Sequence, residues 1–242
     1  MFGQNFLRKQ DLSTKYHLRV QDIFPTIQGE GPFSGIPAIF IRLAGCNLAC
    51  TFCDTDFESR YDNIAAVPEI MKECSRIREE QKISVVVITG GEPLLQNILD
   101  LIDGLLNTVK IAHVQIETAG TVWLPGLEAY ITEGRVSLVC SPKTPKVNPN
   151  IIRYCREYKY IIQDGATHPT DGLPYQNTQQ QAPAPALIFR PDLQKNDAQI
   201  WVQPCDEGDT QQTRDNQQAT ARIAMKFGYR LSFQIHKALN LP

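Results

Sequence analysis

The sequence predicts an α/β fold, an incomplete (β/α) barrel, because short apolar segments alternate along the chain with amphipathic helical segments. A strand followed by a helix, repeated about six times, favours a parallel sheet with right-handed crossover connections. One further strand follows the last repeat, which is too few for eight complete units. A length of 242 residues suits one such domain, so we expect residues 1–242 to form a single unit.

The predicted strands are short runs rich in β-branched residues. They cover residues 38–43, 84–88, 111–116, 136–140, 158–162, 200–202 and 230–233. The predicted helices lie between them, at residues 68–81, 94–106, 125–131, 149–156 and 210–227. In the first of these helices Ile70, Cys74 and Ile77 recur at helical spacing with charged residues between them, which indicates an amphipathic helix.

Residues 163–197 interrupt this alternation. They contain His168-Pro169, a glutamine run at 179–181 and an Ala-Pro repeat at 182–185. This composition lacks the apolar residues needed for a core, so we expect a flexible surface insertion. The alternative is a lid over the active site, because long loops in compact domains are often functional.

Composition excludes several classes of function. The 24 basic and 26 acidic residues give a net charge of −2, which leaves no electrostatic footprint for direct nucleic-acid binding. The longest apolar runs, such as residues 83–88, are far shorter than a membrane span, and residues 1–19 lack the apolar core of a signal peptide. We therefore expect a cytoplasmic protein. Seven cysteines, three of them within eight residues, favour metal binding in a reducing compartment.

Those three cysteines are Cys46, Cys50 and Cys53. Thiolates are soft ligands suited to iron–sulfur clusters, and three on one loop can each bind a different iron of a [4Fe–4S] cluster. The fourth iron then lacks a protein ligand. Its open position can bind the amino and carboxylate groups of S-adenosylmethionine (SAM), so that the reduced cluster can deliver one electron to the sulfonium.

Other interpretations of the three cysteines need a fourth ligand. A structural zinc site uses four ligands, and a ferredoxin-type cluster uses a fourth cysteine at characteristic spacing. Only a distant Cys or His could supply it here. Cys74 on a helix face and Cys140 in a strand suggest packing, whereas Cys155 and Cys205 are less easily assigned to the core.

Polar side chains follow successive predicted strands, where the functional residues of (β/α) barrels collect. These residues are Arg42, Thr89, Glu117, Thr118, Ser141, Pro142, Lys143, Gln203, Asp206, Gln234 and His236. Helix capping explains a single Thr or Ser at such a place, but it does not explain the set as a whole. The sequence therefore predicts an active site at this end of the sheet.

The Cys-x3-Cys-x2-Cys motif resembles the hallmark of the radical SAM superfamily, and it follows the first predicted barrel strand as it does there. Phe52 is similar to the aromatic residue that lies near the SAM adenine in that superfamily. Thr89-Gly90-Gly91-Glu92-Pro93 resembles its glycine-rich motif, whose backbone approaches the methionyl amine of SAM.

Further motifs resemble the 7-carboxy-7-deazaguanine synthase family. They lie at residues 24–31, 117–121, 141–143, 203–206 and 230–237, in the order found in that family. The resemblance implies a carbon–nitrogen lyase that converts 6-carboxy-5,6,7,8-tetrahydropterin to 7-carboxy-7-deazaguanine with release of ammonia, on the route to queuosine and related deazapurines. It also implies that a 5′-deoxyadenosyl radical takes a hydrogen from C6 of the pterin.

The same resemblance implies roles for individual residues. SAM would contact Phe52, Gly91, Glu117, Ser141, Pro142, Lys143, Gln203, Pro204, Cys205 and Asp206, and the pterin would contact Ile27, Gln28, Gly29, Arg42, Thr89 and Pro242. A guanidinium such as that of Arg42 suits the substrate carboxylate. Thr55 matches the magnesium ligand of the family, and Mg²⁺ needs few protein oxygens because it keeps several waters.

The resemblance further implies a homodimer and an electron donor such as a flavodoxin. Ala119 stands where relatives often carry a more polar residue, so one contact with SAM could be missing. A glycyl-radical activating enzyme would share the cluster motif, but it gives no role to residues 28–31 or to Pro242. A non-catalytic iron–sulfur sensor is the other alternative, and it predicts no cleavage of SAM.

Overall fold

The structure, a computed structural model, describes residues 6–175, 178–179 and 186–242. In these ranges the chain forms nine strands. They are β1 (His17–Ile27), β2 (Pro37–Leu43), β3 (Ile64–Ala66), β4 (Val85–Gly90), β5 (His113–Thr118), β6 (Val136–Cys140), β7 (Glu157–Ile162), β8 (Gln199–Pro204) and β9 (Arg230–Leu231).

Seven α-helices lie between or after the strands in the described ranges. They are α1 (Val67–Gln81), α2 (Leu99–Asn107), α3 (Leu127–Thr132), α4 (Pro149–Tyr154), α5 (Leu193–Asn196), α6 (Thr210–Phe227) and α7 (Ile235–Ala238), with two 3-10 turns at Gly31–Phe33 and Pro93–Leu95. None of the helices in the described ranges is both long enough and apolar enough to cross a membrane.

All nine strands belong to one sheet in the order β3-β1-β2-β4-β5-β6-β7-β8-β9. The neighbours from β2 to β9 are parallel, whereas β1 is antiparallel to both β2 and β3. The sheet is open, since β3 and β9 stand at its two ends. Six parallel strands followed by helical segments, with a final strand, confirm the predicted incomplete barrel.

The seven predicted strands are all present, but two strands were not predicted, the three-residue β3 and the much longer β1. The alternation of β1 is broken by a β-bulge between Val20 and Asp22, and Pro25 lies within this strand. Proline is rare in central strands because it cannot donate to the ladder. The pairing of β1 with β2 and β3 is therefore a long-range feature that its local sequence hides.

Two predicted segments differ in the structure for tertiary reasons. The helix expected at 94–106 is divided into the 3-10 turn and α2, because the Gln96 side chain accepts a hydrogen bond from Arg19 N (2.7 Å) and donates to Arg19 O (3.2 Å). The strand expected at 230–233 ends at Leu231, because the chain then turns toward Gly29, whose carbonyl accepts a hydrogen bond from Phe233 N (3.1 Å).

The core lies between the sheet and the helices. The face of α1 formed by Ile70, Cys74 and Ile77 is buried as predicted. Parts of the 163–197 insertion also reach this core, because Leu173 and Ile188 are buried. The composition of the insertion did not predict that contribution, whereas its Ala-Pro repeat at 182–185 lies outside the described residues.

Candidate active site

A cavity of about 440 Å³ lies at the carboxyl ends of the parallel strands. Residues from the ends of β4, β5 and β8 line it, together with the loops after β2 and β6 and the C-terminal segment that contains α7. Parallel strands bring their carboxyl ends to one edge of a sheet, which is why side chains distant in sequence meet here. The sequence predicted a site at this edge.

The three cysteines of the motif line one wall of the cavity. Cys46 is buried, Cys50 and Cys53 are half-buried, and none of them forms a disulfide. Burial raises the pKa of the Cys46 thiol to about 12 and also raises the pKa of Cys53. A buried thiol with a raised pKa keeps its proton at neutral pH unless a bound metal displaces it, so these cysteines would become thiolates on metal binding.

The loop that carries the cysteines is held by close backbone contacts. Arg8 N donates to Cys46 O at 2.7 Å, and Glu92 N donates to Gly45 O at 3.0 Å. A Cβ on Gly91 would lie 2.1 Å from Gly45 O and 2.9 Å from Cys46 Cβ, so only glycine permits this approach. The Gly-Gly turn after β4 therefore positions the cysteine loop.

The donor set fits an iron–sulfur cluster better than one zinc ion. No three His, Cys, Asp or Glu side chains in the described ranges are grouped as ligands of a single ion would be. In a [4Fe–4S] cluster each thiolate binds a different iron and the cysteines need not converge on one point. Cys205 also lines the cavity, whereas Cys155 is buried and donates from Sγ to Glu157 O at 3.2 Å.

Glu92, from the Thr-Gly-Gly-Glu-Pro motif, is fully buried beneath the cavity. Its carboxylate accepts hydrogen bonds from Leu94 N (3.1 Å), Ala119 N (2.8 Å) and the hydroxyl of Thr118 (2.8 Å). Burial raises the pKa of Glu92 to about 7 although these hydrogen bonds oppose the shift. Glu92 thus ties the turn after β4 to the end of β5.

A second buried network joins β7, the ends of β4 and β5, and the segment after β1. Lys159, in the middle of β7, forms an ion pair with Glu30. Glu117 accepts hydrogen bonds from Gln28 Nε2 (2.9 Å) and from the Thr89 hydroxyl (3.1 Å). Burial and the nearby charge of Glu30 raise the pKa of Glu117. Burial opposes the charge of Lys159, but the carboxylates of Glu30 and Glu117 outweigh it and raise its pKa.

The loop after β6, the strand β8 and the helix α7 contribute further polar groups to the cavity. The side chain of Lys143 donates to the Ser141 carbonyl at 2.9 Å and to its hydroxyl, and burial lowers the pKa of this lysine. Gln203 Oε1 and His236 Nδ1 are buried and have no hydrogen-bond partner among the residues that the structure describes. Both residues line the cavity, so a bound ligand would satisfy these atoms.

An ionic cluster lies at the rim. Lys237 Nζ contacts Asp54 Oδ2 at 2.9 Å and Asp206 Oδ2 at 2.7 Å, and the hydroxyl of Thr55 donates to Asp54 Oδ1 at 3.1 Å. Burial would raise the pKa of Asp54, but the ammonium group of Lys237 and the hydrogen bonds outweigh it and lower the pKa to about 2. Asp54 is therefore ionised at neutral pH.

The C-terminal segment covers the cavity because Gly29 lets it approach β1. A Cβ on Gly29 would lie 2.1 Å from Phe233 O. The Thr26 hydroxyl donates to Pro242 O at 2.9 Å. Pro242 lines the cavity and remains exposed at its mouth.

Most of the predicted site residues line this cavity. The predicted residues that do are Arg42, Cys46, Cys50, Phe52, Cys53, Thr55, Thr89, Gly91, Glu117, Thr118, Ser141, Lys143, Gln203, Pro204, Cys205, Asp206, Gln234, His236 and Pro242. Ile27, Gln28, Gly29 and Pro142 are not among the lining residues; Gln28 instead holds Glu117 and Gly29 holds the C-terminal segment.

Four charged lining residues had no predicted role: Glu30, Asp54, Lys159 and Lys237. Asp54 directly follows the last cysteine, and Glu30 belongs to a motif quoted for its resemblance. Lys159 stands between Tyr158 and Tyr160 in a strand, and a charged side chain at such a position is a signal of a functional interior.

Comparison with known proteins agrees with this geometry. The model of the radical SAM superfamily matches residues 40–167. A 7-carboxy-7-deazaguanine synthase of Rhodospirillum rubrum is 41% identical, and the alignment covers the whole of both chains. The chain belongs to the 7-carboxy-7-deazaguanine synthase family. The family member of Rickettsia prowazekii is 37% identical over the whole of this chain and 96% of its own length.

The fold agrees with that of a solved structure, QueE from Escherichia coli. The TM-score is 0.61 at 23% identity, with coverage of 90% of this chain and 94% of the other. Membership of the radical SAM superfamily implies a [4Fe–4S] cluster and SAM. Three free thiols that line a cavity fit the cluster, and Gln203 Oε1 in the same cavity, which lacks a hydrogen-bond partner in the described part of the chain, fits a polar ligand such as SAM.

Proposed function

We propose that the chain catalyses the conversion of 6-carboxy-5,6,7,8-tetrahydropterin to 7-carboxy-7-deazaguanine with release of ammonia, a lyase step in the biosynthesis of queuosine and related deazapurines. One observation carries the proposal. A single cavity gathers the three cysteines and the polar ends of the parallel strands, in a chain that is 41% identical over its whole length to a 7-carboxy-7-deazaguanine synthase.

Cys46, Cys50 and Cys53 would hold the cluster, and Phe52, Gly91, Ser141–Lys143 and residues 203–206 would hold SAM. When bound, the cluster and SAM supply the one-electron chemistry that begins the ring contraction. Gln203 supports this assignment, because its buried Oε1 can accept a hydrogen bond from the ligand. Lys143 also lies over the Phe52 ring, with its Nζ 5.9 Å from the centroid, so both belong to one wall.

Arg42 and Glu117 would orient the pterin. The Arg42 guanidinium lines the cavity and can bind the substrate carboxylate through two hydrogen bonds. We place Glu117 on the substrate side rather than the SAM side, because its hydrogen-bond partners Gln28 and Thr89 were both expected near the pterin. A buried carboxylate there can accept hydrogen bonds from the N–H groups of a pterin, and Glu30 and Lys159 fix the charge beside it.

Magnesium is part of the proposal. Thr55 lines the cavity, and its hydroxyl lies beside the ionised carboxylate of Asp54. Mg²⁺ prefers oxygen ligands and keeps several waters, so one or two protein oxygens and substrate oxygens suffice. A homodimer, a cytoplasmic location and a flavodoxin-like electron donor remain expectations from the family, and sedimentation of the purified protein tests the first.

The decisive test is an anaerobic assay of the protein after reconstitution with iron and sulfide. Incubation with dithionite, SAM, Mg²⁺ and the carboxypterin should yield ammonia and a product with the mass and absorbance of a carboxydeazaguanine. Omission of Mg²⁺ should slow this reaction. Arg42→Lys should raise the KM for the pterin without weakening SAM binding, because lysine cannot form a bidentate pair with a carboxylate.

Two outcomes would contradict the proposal. Cleavage of SAM only after addition of a partner protein would identify a glycyl-radical activating enzyme. A cluster that is reduced by dithionite but never cleaves SAM would identify a non-catalytic cluster protein.

A further inference from the structure

Two residues of the 163–197 insertion lie directly against the cysteine loop. Thr51 N donates to Thr178 O at 3.0 Å, and Cys50 and Gln179 form an isolated antiparallel β-bridge. Thr178 N also donates to Lys143 O at 3.3 Å. Thr178 and Gln179 therefore connect the cysteine loop to the loop after β6.

The Gln179 side chain contacts the cysteine loop in a defined orientation. Its Oε1 lies 2.9 Å from Ala49 N, and its Nε2 lies 3.4 Å from Cys50 Sγ. A backbone N–H can only donate, so it requires the amide oxygen of Gln179 on its side. The amide NH₂ group is then forced toward sulfur, because the two ends of the amide cannot exchange without losing the bond to Ala49.

We propose that Gln179 donates an N–H···S hydrogen bond to the Cys50 thiolate and thereby raises the reduction potential of the cluster. The proposal rests on the cluster assignment made under the proposed function. The reduced cluster carries one more negative charge, so a donor aimed at a ligating sulfur stabilises it more than the oxidised cluster. The Thr178 hydroxyl is not a second donor to the sulfur, because it donates to the Lys143 carbonyl at 3.4 Å and accepts from Gln179 Nε2 at 3.5 Å.

The step affected is the transfer of one electron from a low-potential donor to the cluster. The donor is oxidised, the cluster is reduced, and no bond to Gln179 forms or breaks. The loss of one hydrogen bond should lower the ratio of reduced to oxidised cluster at a fixed solution potential by roughly threefold or more. The insertion would then have a function in the chemistry as well as in packing.

Three variants test the proposal, with the reconstituted full-length protein and a redox titration followed by electron paramagnetic resonance. Gln179→Leu removes both hydrogen bonds. Gln179→Glu keeps an acceptor for Ala49 N but presents a negative oxygen to sulfur. Thr178→Val is the matched control: it removes the longer 3.5 Å contact of Gln179 Nε2 with the Thr178 hydroxyl, but it leaves the backbone bonds of this segment and both bonds of Gln179 to the cysteine loop in place. We expect a more negative midpoint potential in both Gln179 variants, with the larger shift in Gln179→Glu, and the wild-type potential in Thr178→Val.

The measurements separate failure of this inference from failure of the cluster assignment. A wild-type protein that binds no cluster overturns the proposed function itself. A wild-type cluster whose potential is unchanged in the Gln179 variants overturns only the role of Gln179. Where Gln179→Leu loses its iron, Gln179→Glu decides; loss of iron from both, with full loading of Thr178→Val, would assign Gln179 to holding the loop and overturn its effect on the potential.

Discussion

Lys159 is the residue on which the charge balance beneath the cavity depends. Its side chain and that of Glu30 are each only 9% exposed, and Glu117 adds a second carboxylate nearby. Without a cation between them, two carboxylates buried this close together would repel each other strongly. The positive charge of Lys159 therefore allows the carboxylates of Glu30 and Glu117 to be buried together beneath the cavity.

Replacing Lys159 by methionine should destabilise the fold strongly. The variant leaves Glu30 without its partner, and removal of one member of a buried pair typically costs about 3–5 kcal/mol. Urea unfolding of both single variants, Glu30→Gln and Lys159→Met, and of the double variant measures this. The double variant should recover part of the loss, and a double variant as unstable as the sum of the single ones would contradict the pairing.

Glu92 should make stability depend on pH. The pKa of this carboxyl is about 7 in the folded chain and near its ordinary 4.5 in the unfolded chain. Between these values the unfolded chain has lost the proton that the folded chain retains. Protonated Glu92 therefore contributes about 3 kcal/mol to the free energy of unfolding below pH 4.5, and this contribution is lost as the pH rises to 7.

Urea unfolding of wild-type protein and Glu92→Gln at pH 5, 6, 7 and 8 tests this effect. The wild type should exceed the variant most at pH 5, and the difference should shrink as the pH rises. Glutamine cannot ionise, so its own contribution does not change with pH. Its NH₂ group would face Leu94 N or Ala119 N, each of which donates a hydrogen bond to Glu92, so the variant should also be less stable at low pH. A difference that is constant from pH 5 to 8 would disprove the shift.

At the scale of the elements, β1 and the C-terminal segment form the part of the site that lies outside the parallel strands. They meet where Gly29 accepts a hydrogen bond from Phe233 N and where Thr26 contacts Pro242. The contact brings Gln234 and His236 over the cavity. The close approach of the Gly29 and Phe233 backbones therefore positions the wall of the cavity that the C-terminal segment forms.

Substitution of Gly29 by alanine should displace this wall. The new Cβ would lie 2.1 Å from Phe233 O, so the backbone has to move, and we expect a raised KM for the pterin with little change in SAM binding. Gly35→Ala is the control: its Cβ would meet nothing within 4 Å, and its positive φ of 86° should cost about 1 kcal/mol of stability only. Equal KM values in the two variants would contradict the role of Gly29.

The elements differ in how far their sequences predicted them. Thr210–Phe227 and Val136–Cys140 have the predicted bounds, because their periodicity and caps are local. The α6 helix begins after Asp209, whose side chain accepts from Gln212 N, and ends at Gly228 in the left-handed conformation. By contrast, β1 exists because it pairs with two strands whose positions its own residues do not encode.

At the scale of the whole molecule, the open parallel sheet places the residues that follow each parallel strand along one edge, where they line the cavity. The cavity lies there because every parallel strand from β2 to β8 runs in the same direction. The antiparallel pair of β1 and β3 extends the sheet beyond β2, and the insertion adds Thr178 and Gln179 at the cysteine loop. Both additions complete a site that the repeated units begin.

The sequence by itself determined the alternation of strands and helices, the open barrel and the cysteine motif, because spacing and periodicity are local properties. It indicated the family through the resemblance of its motifs. The tertiary structure decided which polar residues face one another. The pairing of Lys159 with Glu30, the support of Glu117 by Gln28 and the contact of Gln179 with Cys50 join residues 89 to 129 positions apart. Such contacts depend on strand order and backbone approach, which no segment of the chain specifies alone.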